Sequence, residues 1–295
     1  LSLLSLIYGA GVGIRLKGVK SCEKNALPGF TVSIGNLTAG GTGKTPATCM
    51  LAEWARVEGY NAAVLSRGYG GKKRAKVTIV SDGNNILAGP EQAGDEPYLM
   101  ANRLPGVPVI IAKDRYLAGL LAIDRFKSSF FILDDGYQHL RLKRDLDLLL
   151  LDAASPFGNG RLLPRGPLRE PVSEIARADA VILTRAGSLA GPKEVFNDHK
   201  GLFKDKPLFM CDHLPDKVVF PAENISLDPS FLKGKRVVAF AGIARPDFFR
   251  DTLVSLGAYI VSFRVFPDHH AFSRHDIGGL REERDKSGAD LLITT

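Results

Sequence analysis

A glycine-rich octapeptide carries the strongest chemical signal in this chain of 295 residues. It reads Ala39-Gly40-Gly41-Thr42-Gly43-Lys44-Thr45-Pro46 and stands between a short apolar run and a segment with helical character. Such a turn presents backbone N–H groups and the positive end of the helix dipole to an anion. Lys44 can then reach the β- and γ-phosphates of a nucleotide, and the Thr45 hydroxyl can complete the coordination of Mg²⁺. The sequence therefore predicts a phosphate-binding loop from Thr38 to Thr45, which we call the glycine loop.

One position departs from the usual form of this loop. The standard pattern G-x-x-x-x-G-K-S/T has Gly five residues before Gly43, where this chain has Thr38. Gly40 and Gly41 can supply the same backbone freedom. A turn that only caps a helix would also use glycine, but it needs no lysine at this position. Nucleotide binding is therefore the favoured hypothesis.

An acidic pair, Asp134-Asp135, directly follows the apolar run Phe130–Leu133. In phosphate-loop proteins the strand beside the loop ends in an acidic residue that holds Mg²⁺ or its water. Asp-Asp-Gly is also a favourable turn sequence. With the glycine loop present, we predict a metal role for one of the two carboxylates, and the sequence leaves open which one.

Two further segments contain candidate acid–base groups. Asp95 opens a predicted helix, where carboxylates are commonly caps, but a kinase also needs a carboxylate near the γ-phosphate to accept the proton of the attacking hydroxyl. His269 lies in Asp268-His269-His270 and either orients such a carboxylate or belongs to a surface loop. No further ligands with suitable spacing accompany these histidines, so a zinc site is not expected.

Arginines punctuate a proline-containing segment, residues 159–170, which we call the arginine loop. The guanidinium groups of Arg161, Arg165 and Arg169 suit phosphate recognition, although a solvated basic loop has the same composition. Arg67 and Arg115 follow two of the predicted strands. Because the carboxyl ends of parallel strands meet at one edge of a sheet, we expect these cations to converge there.

The elements that must position these groups follow from apolar runs that alternate with helical stretches, a pattern typical of an α/β fold with mainly parallel strands. Two of the runs are almost continuously apolar, as in strands that are covered on both faces. The predicted strands of the first part of the chain are Thr31–Gly35, Ala62–Ser66, Val77–Ser81, Val107–Ala112, Phe130–Leu133, Leu146–Asp152 and Ala180–Thr184. The predicted helices there are Thr45–Val57, Glu91–Arg103, Arg115–Phe126 and Ser173–Arg177.

The chain is long enough for two domains. We predict an apolar N-terminal helix region (1–24), a nucleotide-binding domain (25–205), a connecting ribbon (206–229) and a smaller α/β domain (230–295). The ribbon is expected from two extended segments, Pro207–Leu214 and Val218–Pro221. Because the sequence stops directly after a predicted strand, we expect the natural chain to continue.

Composition sets outer limits on function. Hydrophobic residues make up 45% and charged residues 24%, which excludes wholesale disorder. The net charge of +7 fits an anionic partner or a solvated basic surface, and without a stacking-aromatic motif it does not indicate nucleic-acid binding. Three cysteines with neither metal-ligand spacing nor a disulfide framework indicate a reducing compartment.

The N-terminal segment Leu1–Ile14 carries no charge, and cations follow it from Arg15 onward. It is shorter than the roughly 20 residues that span a bilayer as a helix, and a signal peptide would place the basic residues first. The pattern fits a helix that lies in the membrane interface beside anionic lipid, or a helix packed on the domain core.

Taken together and in this order, the motifs resemble the tetraacyldisaccharide 4'-kinase family, the lipid A 4'-kinases. The family's own loop has Thr where the standard pattern has Gly, which accounts for Thr38, whereas Tyr137 stands where Phe is common. The likeness runs from the N-terminal segment to the last predicted strand. The motifs are Gly35 to Pro46, Leu65 to Gly70, Gly94 to Pro97, Asp134 to His139, Leu163 to Pro171 and Pro267 to His270.

The resemblance implies phosphorylation, by ATP with Mg²⁺, of the 4'-hydroxyl of a tetraacyldisaccharide 1-phosphate to give lipid IVA. It implies a peripheral enzyme on the cytoplasmic face of a Gram-negative inner membrane, whose anionic surface the N-terminal helix contacts. No obligate protein partner and no nucleic acid are expected. It also implies a P-loop nucleotide hydrolase-like α/β/α sandwich joined to a smaller α/β/α domain by a two-stranded ribbon.

The family likeness further implies roles for individual residues. Asp95 is the expected base, His269 its partner, and Lys44 the third catalytic group. The nucleotide is expected at the glycine loop, and Mg²⁺ at Thr45, Asp134 and Asp135. Residues that match substrate or phosphate positions, or lie within the shared motifs, form the expected substrate-binding set: Arg67, Tyr69, Arg115, Gln138, Arg165, Arg169 and Glu170.

Two other classes remain as alternatives. A nucleotide-switch ATPase that binds a membrane or partner proteins would hydrolyse ATP without an acceptor sugar. A kinase acting on a soluble metabolite would use the same loop, but it gives no reason to expose an apolar N-terminal helix.

Overall fold

A computed structural model describes residues 1–20, 22–68, 75–187, 201–203, 205–268 and 270–295 of the chain. By its internal contacts the chain divides into two units, Leu1–His213 and Leu214–Thr295. The domain boundaries drawn from the sequence remain predictions.

The first unit is organised around an eight-stranded sheet with the order β3-β4-β2-β5-β1-β6-β7-β8. All its neighbouring strands are parallel except β3, which runs antiparallel to β4. The central strands are buried along nearly their whole length, which explains their continuous apolar runs. The strands are β1 (Phe30–Gly35), β2 (Ala62–Ser66), β3 (Val77–Ser81), β4 (Val109–Ala112), β5 (Phe130–Asp134), β6 (Leu146–Asp152), β7 (Ala180–Thr184) and β8 (Leu208–Cys211).

Helices cover both faces of this sheet. On one face Val32 and Ile132 pack in a cluster with Ala52 and Met100, whereas Phe131 packs on the other face. The alternation follows from the two-residue period of strand side chains. The helices are α1 (Ser2–Lys20), α2 (Lys44–Val57), α3 (Pro90–Ala93), α4 (Asp95–Arg103) and α5 (Arg115–Phe126).

The helix predicted over Glu91–Arg103 is two helices. Gly94 separates them with φ 86°, a left-handed conformation that glycine adopts without a Cβ clash. Asp95 is therefore the first residue of a new helix. The helix predicted over Ser173–Arg177 is a single 3₁₀ segment, Val172–Arg177.

The segment Pro207–Leu214 does not pair with Val218–Pro221 as the predicted ribbon requires. Strand β8 lies within this segment and pairs in parallel with β7 at the edge of the large sheet. A short apolar run has the same appearance in a hairpin and in an edge strand, so its partner could not be read from the pattern.

The second unit contains a two-stranded antiparallel ribbon and a three-stranded parallel sheet. The ribbon pairs β9 (Val218–Phe220) with β10 (Ile225–Leu227). The sheet has β11 (Arg236–Ala241) between β12 (Tyr259–Val265) and β13 (Leu291–Ile293). Its helices are α6 (Pro246–Ser255) and α7 (Arg274–Ser287).

Candidate active site

The candidate site lies at the carboxyl edge of the large sheet. Strand β1 runs between β5 and β6, all three in parallel, so the glycine loop that follows β1 emerges beside the residues that end β5. This is the edge at which open α/β sheets bind their ligands.

The glycine loop connects β1 directly to α2, as the sequence predicts. Gly40 and Gly43 have φ 115° and 80°, in the left-handed region that favours glycine. Lys44 is the first residue of α2, and its N-cap, Gly43, offers no side chain to the first-turn N–H groups. Those amides, together with the helix dipole, form an anion cradle.

Residues beyond the predicted set support this loop from the side of β7 and β8. Thr184 Oγ1 donates to the carbonyl oxygen of Thr42 at 3.2 Å, and Arg185 Nη2 donates to that of Gly41 at 3.1 Å. A Cβ placed on Gly43 would lie 2.5 Å from His213 Cε1. Two features of position 43 therefore favour glycine: its positive φ, and the close approach of His213, which leaves no room for a Cβ. His213 is not among the predicted site residues, because the sequence pattern did not indicate that β8 joins this sheet.

The two acidic residues at the end of β5 have different surroundings. Asp134 is buried, and its carboxylate accepts hydrogen bonds from Ser66 Oγ at 2.8 Å and Thr48 Oγ1 at 3.4 Å. Burial raises the pKa of Asp134 to about 6, partly offset by the Ser66 hydrogen bond. The charge of Glu96, a residue outside the predicted site set, also raises this pKa, so Glu96 acts on the site as well.

Asp135 lies among cations. Lys44 Nζ is 3.6 Å from Asp135 Oδ1, and Arg169 Nη1 donates to both carboxylate oxygens at 2.9 and 2.8 Å. Burial acts to raise the pKa of Asp135, but the charges of Lys44, Arg169 and Arg115 with the Arg169 hydrogen bond outweigh it and hold the pKa below its usual range. Asp135 is therefore ionised at neutral pH and links the glycine loop to the arginine loop.

These oxygen donors fit Mg²⁺, which is typically bound by one or two carboxylates together with substrate phosphates. Asp134 and Asp135 end the strand beside the glycine loop, and Thr45 lies in the first turn of α2. Among the described residues, two hydroxyl groups donate to the buried Asp134 carboxylate, which leaves it acceptor capacity for a cation or its water.

We expect Asp134→Asn to stabilise the metal-free protein at neutral pH. The native carboxyl, with its raised pKa, binds a proton between about pH 4 and 6 that the unfolded chain does not bind, so its contribution to stability falls as pH rises through about 6. The amide removes the buried charge. Thermal unfolding with a chelator should show a larger gain for the variant at about pH 7.5 than at about pH 5. An equal gain at both values would contradict the assignment.

The remaining predicted residues are distributed unevenly. Three of them are exposed. Arg67 directly follows β2, Asp95 is the first residue of α4, and Arg165 lies on the arginine loop. Arg115 is buried at the start of α5, and its charge acts on Asp135.

Two residues of the expected substrate set are engaged within the protein. Gln138 Nε2 donates to the carbonyl oxygen of Asn36 at 2.9 Å. Glu170 has no exposed surface, and its carboxylate pairs with Arg15 and Arg177. Tyr69 and His269 lie outside the described residues.

Comparison with known proteins decides the family. The family model described as "LpxK: Tetraacyldisaccharide-1-P 4'-kinase" matches residues 1–295. The chain belongs to this kinase family. The resemblance drawn from the motifs is thereby confirmed, and the chain is an enzyme of the kinase class.

Relatives of the tetraacyldisaccharide 4'-kinase family match the whole chain. A tetraacyldisaccharide 4'-kinase from Syntrophus aciditrophicus is 44% identical over 305 residues, which cover 100% of this chain and 82% of the relative. One from Pelobacter propionicus is 43% identical over 300 residues, with 100% and 81% covered. A crystal structure of LpxK from Aquifex aeolicus, described as in complex with ATP, has a TM-score of 0.79 and 35% identity, covering 100% of this chain and 87% of that one. The predicted α/β fold class is confirmed.

Proposed function

We propose that this chain transfers the γ-phosphate of ATP to the 4'-hydroxyl of a tetraacyldisaccharide 1-phosphate and so forms lipid IVA, a precursor of lipid A. The observation that carries the proposal is the Lys44–Asp135–Arg169 arrangement at the mouth of the glycine loop. It places two cations and a carboxylate where a triphosphate bound to the loop would end. The ATP complex of the Aquifex aeolicus relative supports the choice of nucleotide.

The residues of the site divide the work of phosphoryl transfer. The glycine loop amides and Lys44 hold the triphosphate, and Arg169 and Arg115 add positive charge where the transferred group becomes more negative. Thr45, Asp134 and Asp135 would hold Mg²⁺, which supplies charge neutralisation at the β- and γ-phosphates. Asp95, exposed at the start of α4, accepts the proton of the attacking hydroxyl. His269 is proposed as its partner, and Arg67, Tyr69 and Arg165 as substrate contacts.

One assay tests the reaction. The protein is incubated with ATP, Mg²⁺ and a lipid A disaccharide 1-phosphate in detergent micelles, and the lipid is analysed by mass spectrometry. A bisphosphorylated lipid, formed in step with ADP, is the expected result. Release of inorganic phosphate without any lipid product would instead support the nucleotide-switch ATPase.

The N-terminal helix supports a membrane location for the reaction. Leu3, Ile7 and Ile14 lie on one side of α1 and are 70%, 61% and 74% exposed, whereas Val12 and Leu16 on the opposite side are buried against Leu140. No described helix combines the length and apolar character that a bilayer crossing requires. We place α1 in the interface of the anionic inner membrane, on its cytoplasmic face, because the acylated substrate stays in the bilayer.

Replacing Leu3, Ile7 and Ile14 together with Ser should weaken binding to vesicles of anionic phospholipid by at least about tenfold, since each apolar side chain contributes about 1.5–3 kcal/mol when it is fully buried. Vesicle flotation measures the bound fraction. Val254→Ser, which changes a similarly exposed apolar residue on α6, is the matched control. Unchanged flotation of the triple variant would remove the membrane role from this face.

A further inference from the structure

The inward side of α1 is attached to the arginine loop by polar contacts. Ser5 Oγ donates to the carbonyl oxygen of Leu162 at 2.9 Å, and Tyr8 OH donates to that of Arg169 at 3.0 Å. Arg15 pairs with the Glu170 carboxylate one residue further along that loop. A helix that only rested on the domain would not need these directional bonds to one loop.

Glu170 is the buried centre of this attachment. Its exposed fraction is 0%, and it joins Arg15 of α1 to Arg177 of the 3₁₀ segment. Gln138 Nε2 lies 3.5 Å from its second oxygen. The Arg177 guanidinium also lies over the ring of buried Tyr137, at 4.4 Å from the centroid. Loss of the Glu170 charge would remove an ion-pair partner from both arginines, and Arg177 would keep Glu174 at 3.0 Å. Loss of Arg15 would leave the buried Glu170 carboxylate with one cation instead of two, which is costly for a buried charge.

The opposite edge of the same loop is paired with the glycine loop. Arg169 N donates to the carbonyl oxygen of Leu37 at 2.7 Å, and Ala39 N donates to that of Pro167 at 2.6 Å. Thr38 and Leu168 form an antiparallel bridge between these bonds. The position of the first residues of the glycine loop therefore depends on where residues 167–169 are held.

The side chain of Arg169 completes the connection. Its backbone carbonyl accepts from Tyr8, its backbone N–H bonds to Leu37, and its guanidinium holds Asp135. A single residue thus touches α1, the start of the glycine loop and the acidic pair. A shift of α1 would be transmitted to all of them through short, directional contacts.

We infer that Tyr8, Arg15 and Glu170 are positioning residues of the kinase, which hold the arginine loop so that Arg169 engages Asp135 and the glycine loop keeps its backbone conformation. Helix α1 then has two roles on opposite sides, a membrane contact outward and support of the phosphate site inward. This assignment replaces the expected substrate contact of Glu170, because a carboxylate without exposed surface cannot reach a lipid headgroup. The inference rests on the proposed function for the identity of the reaction.

The test compares Arg15→Gln and Glu170→Gln with the unmodified protein in two assays. MgATP affinity is measured by calorimetry without lipid, and kcat and lipid KM are measured in micelles, where vesicle binding does not limit the rate. We expect MgATP affinity and kcat each to fall by about tenfold with little change in lipid KM. Arg15→Lys, which keeps the ion pair, should restore both values, and Ile14→Ser on the outward side should keep lipid-free MgATP affinity.

Unchanged MgATP affinity in Arg15→Gln and Glu170→Gln, with a raised lipid KM, would overturn the inference and return Glu170 to substrate binding. If these variants do not fold, Tyr8→Phe provides the test, because it removes the hydrogen bond to Arg169 and keeps the aromatic ring. Weaker MgATP binding by Tyr8→Phe supports the inference, and unchanged binding overturns it. The lipid-free assay also tests the positioning role of these residues independently of the proposed lipid phosphorylation. If the unmodified protein binds MgATP but forms no lipid product, the proposed function fails while the MgATP comparison still stands.

Discussion

Replacing Lys44 with Ala is expected to lower the rate of phosphoryl transfer by about 10²- to 10³-fold, the usual effect of removing one group that stabilises developing charge in a closed site. Lys44 is the first residue of α2 and lies at the mouth of the glycine loop, 3.6 Å from Asp135. Lys44 is the one cationic residue within the glycine loop, Thr38 to Thr45. The fold should persist, because Lys44 belongs to none of the apolar clusters and Asp135 keeps Arg169 as a partner.

The measurement is single-turnover formation of phosphorylated lipid at saturating MgATP, with thermal unfolding to verify the fold. Lys143→Ala provides a matched control, since Lys143 is exposed and lies after β5 on the way to β6. Near-native turnover in Lys44→Ala would refute the assignment of the glycine loop as the phosphate site.

Asp95→Asn is expected to lower kcat by about 10²- to 10⁴-fold, the range typical for loss of a general base. The substitution keeps the size of the side chain but removes its ability to take up a proton. Because Asp95 is exposed at the first residue of α4, beyond the bend at Gly94, the fold should tolerate the change. The KM for ATP should stay within a few-fold of the native value, since the triphosphate is held by the glycine loop.

Steady-state kinetics with separate titrations of ATP and lipid will distinguish the two parameters. Asp124→Asn, an equally conservative change at an exposed aspartate of α5, should leave both unchanged. If Asp95→Asn instead raised the KM for ATP and kept kcat, Asp95 would be a binding residue and the base would have to be sought elsewhere.

Local chemistry made much of this protein predictable. The strand–glycine loop–helix unit, the buried parallel strands and the acidic pair after β5 all follow from residue types and spacing within short windows. Local patterns made Asp95 and Arg169 candidates with alternatives left open, a helix cap and a solvated basic loop, and the family likeness then implied specific roles for them. Where local signals failed, as at Gly94, the missing information was a single backbone angle that the helical pattern on either side concealed.

Other features depended on partners that are distant in sequence. The pairing of β8 with β7 brings His213 against Gly43, and no window of the sequence contains both. The same holds for Glu170. Its place in a family motif led to the expectation of a substrate contact, but in the structure it lies between Arg15 and Arg177 and is completely buried.

The sequence by itself determined the phosphate-binding unit, the α/β class and the family, because each is specified by neighbouring residues. Only the tertiary structure decided that Asp134 is buried with a raised pKa while Asp135 is held ionised by Lys44 and Arg169. It also decided that α1 is bonded to the arginine loop. Burial and charge pairing depend on atoms from many segments of the chain. Asp134 and Asp135, which have the same side chain, therefore acquire different pKa values only once the chain is folded.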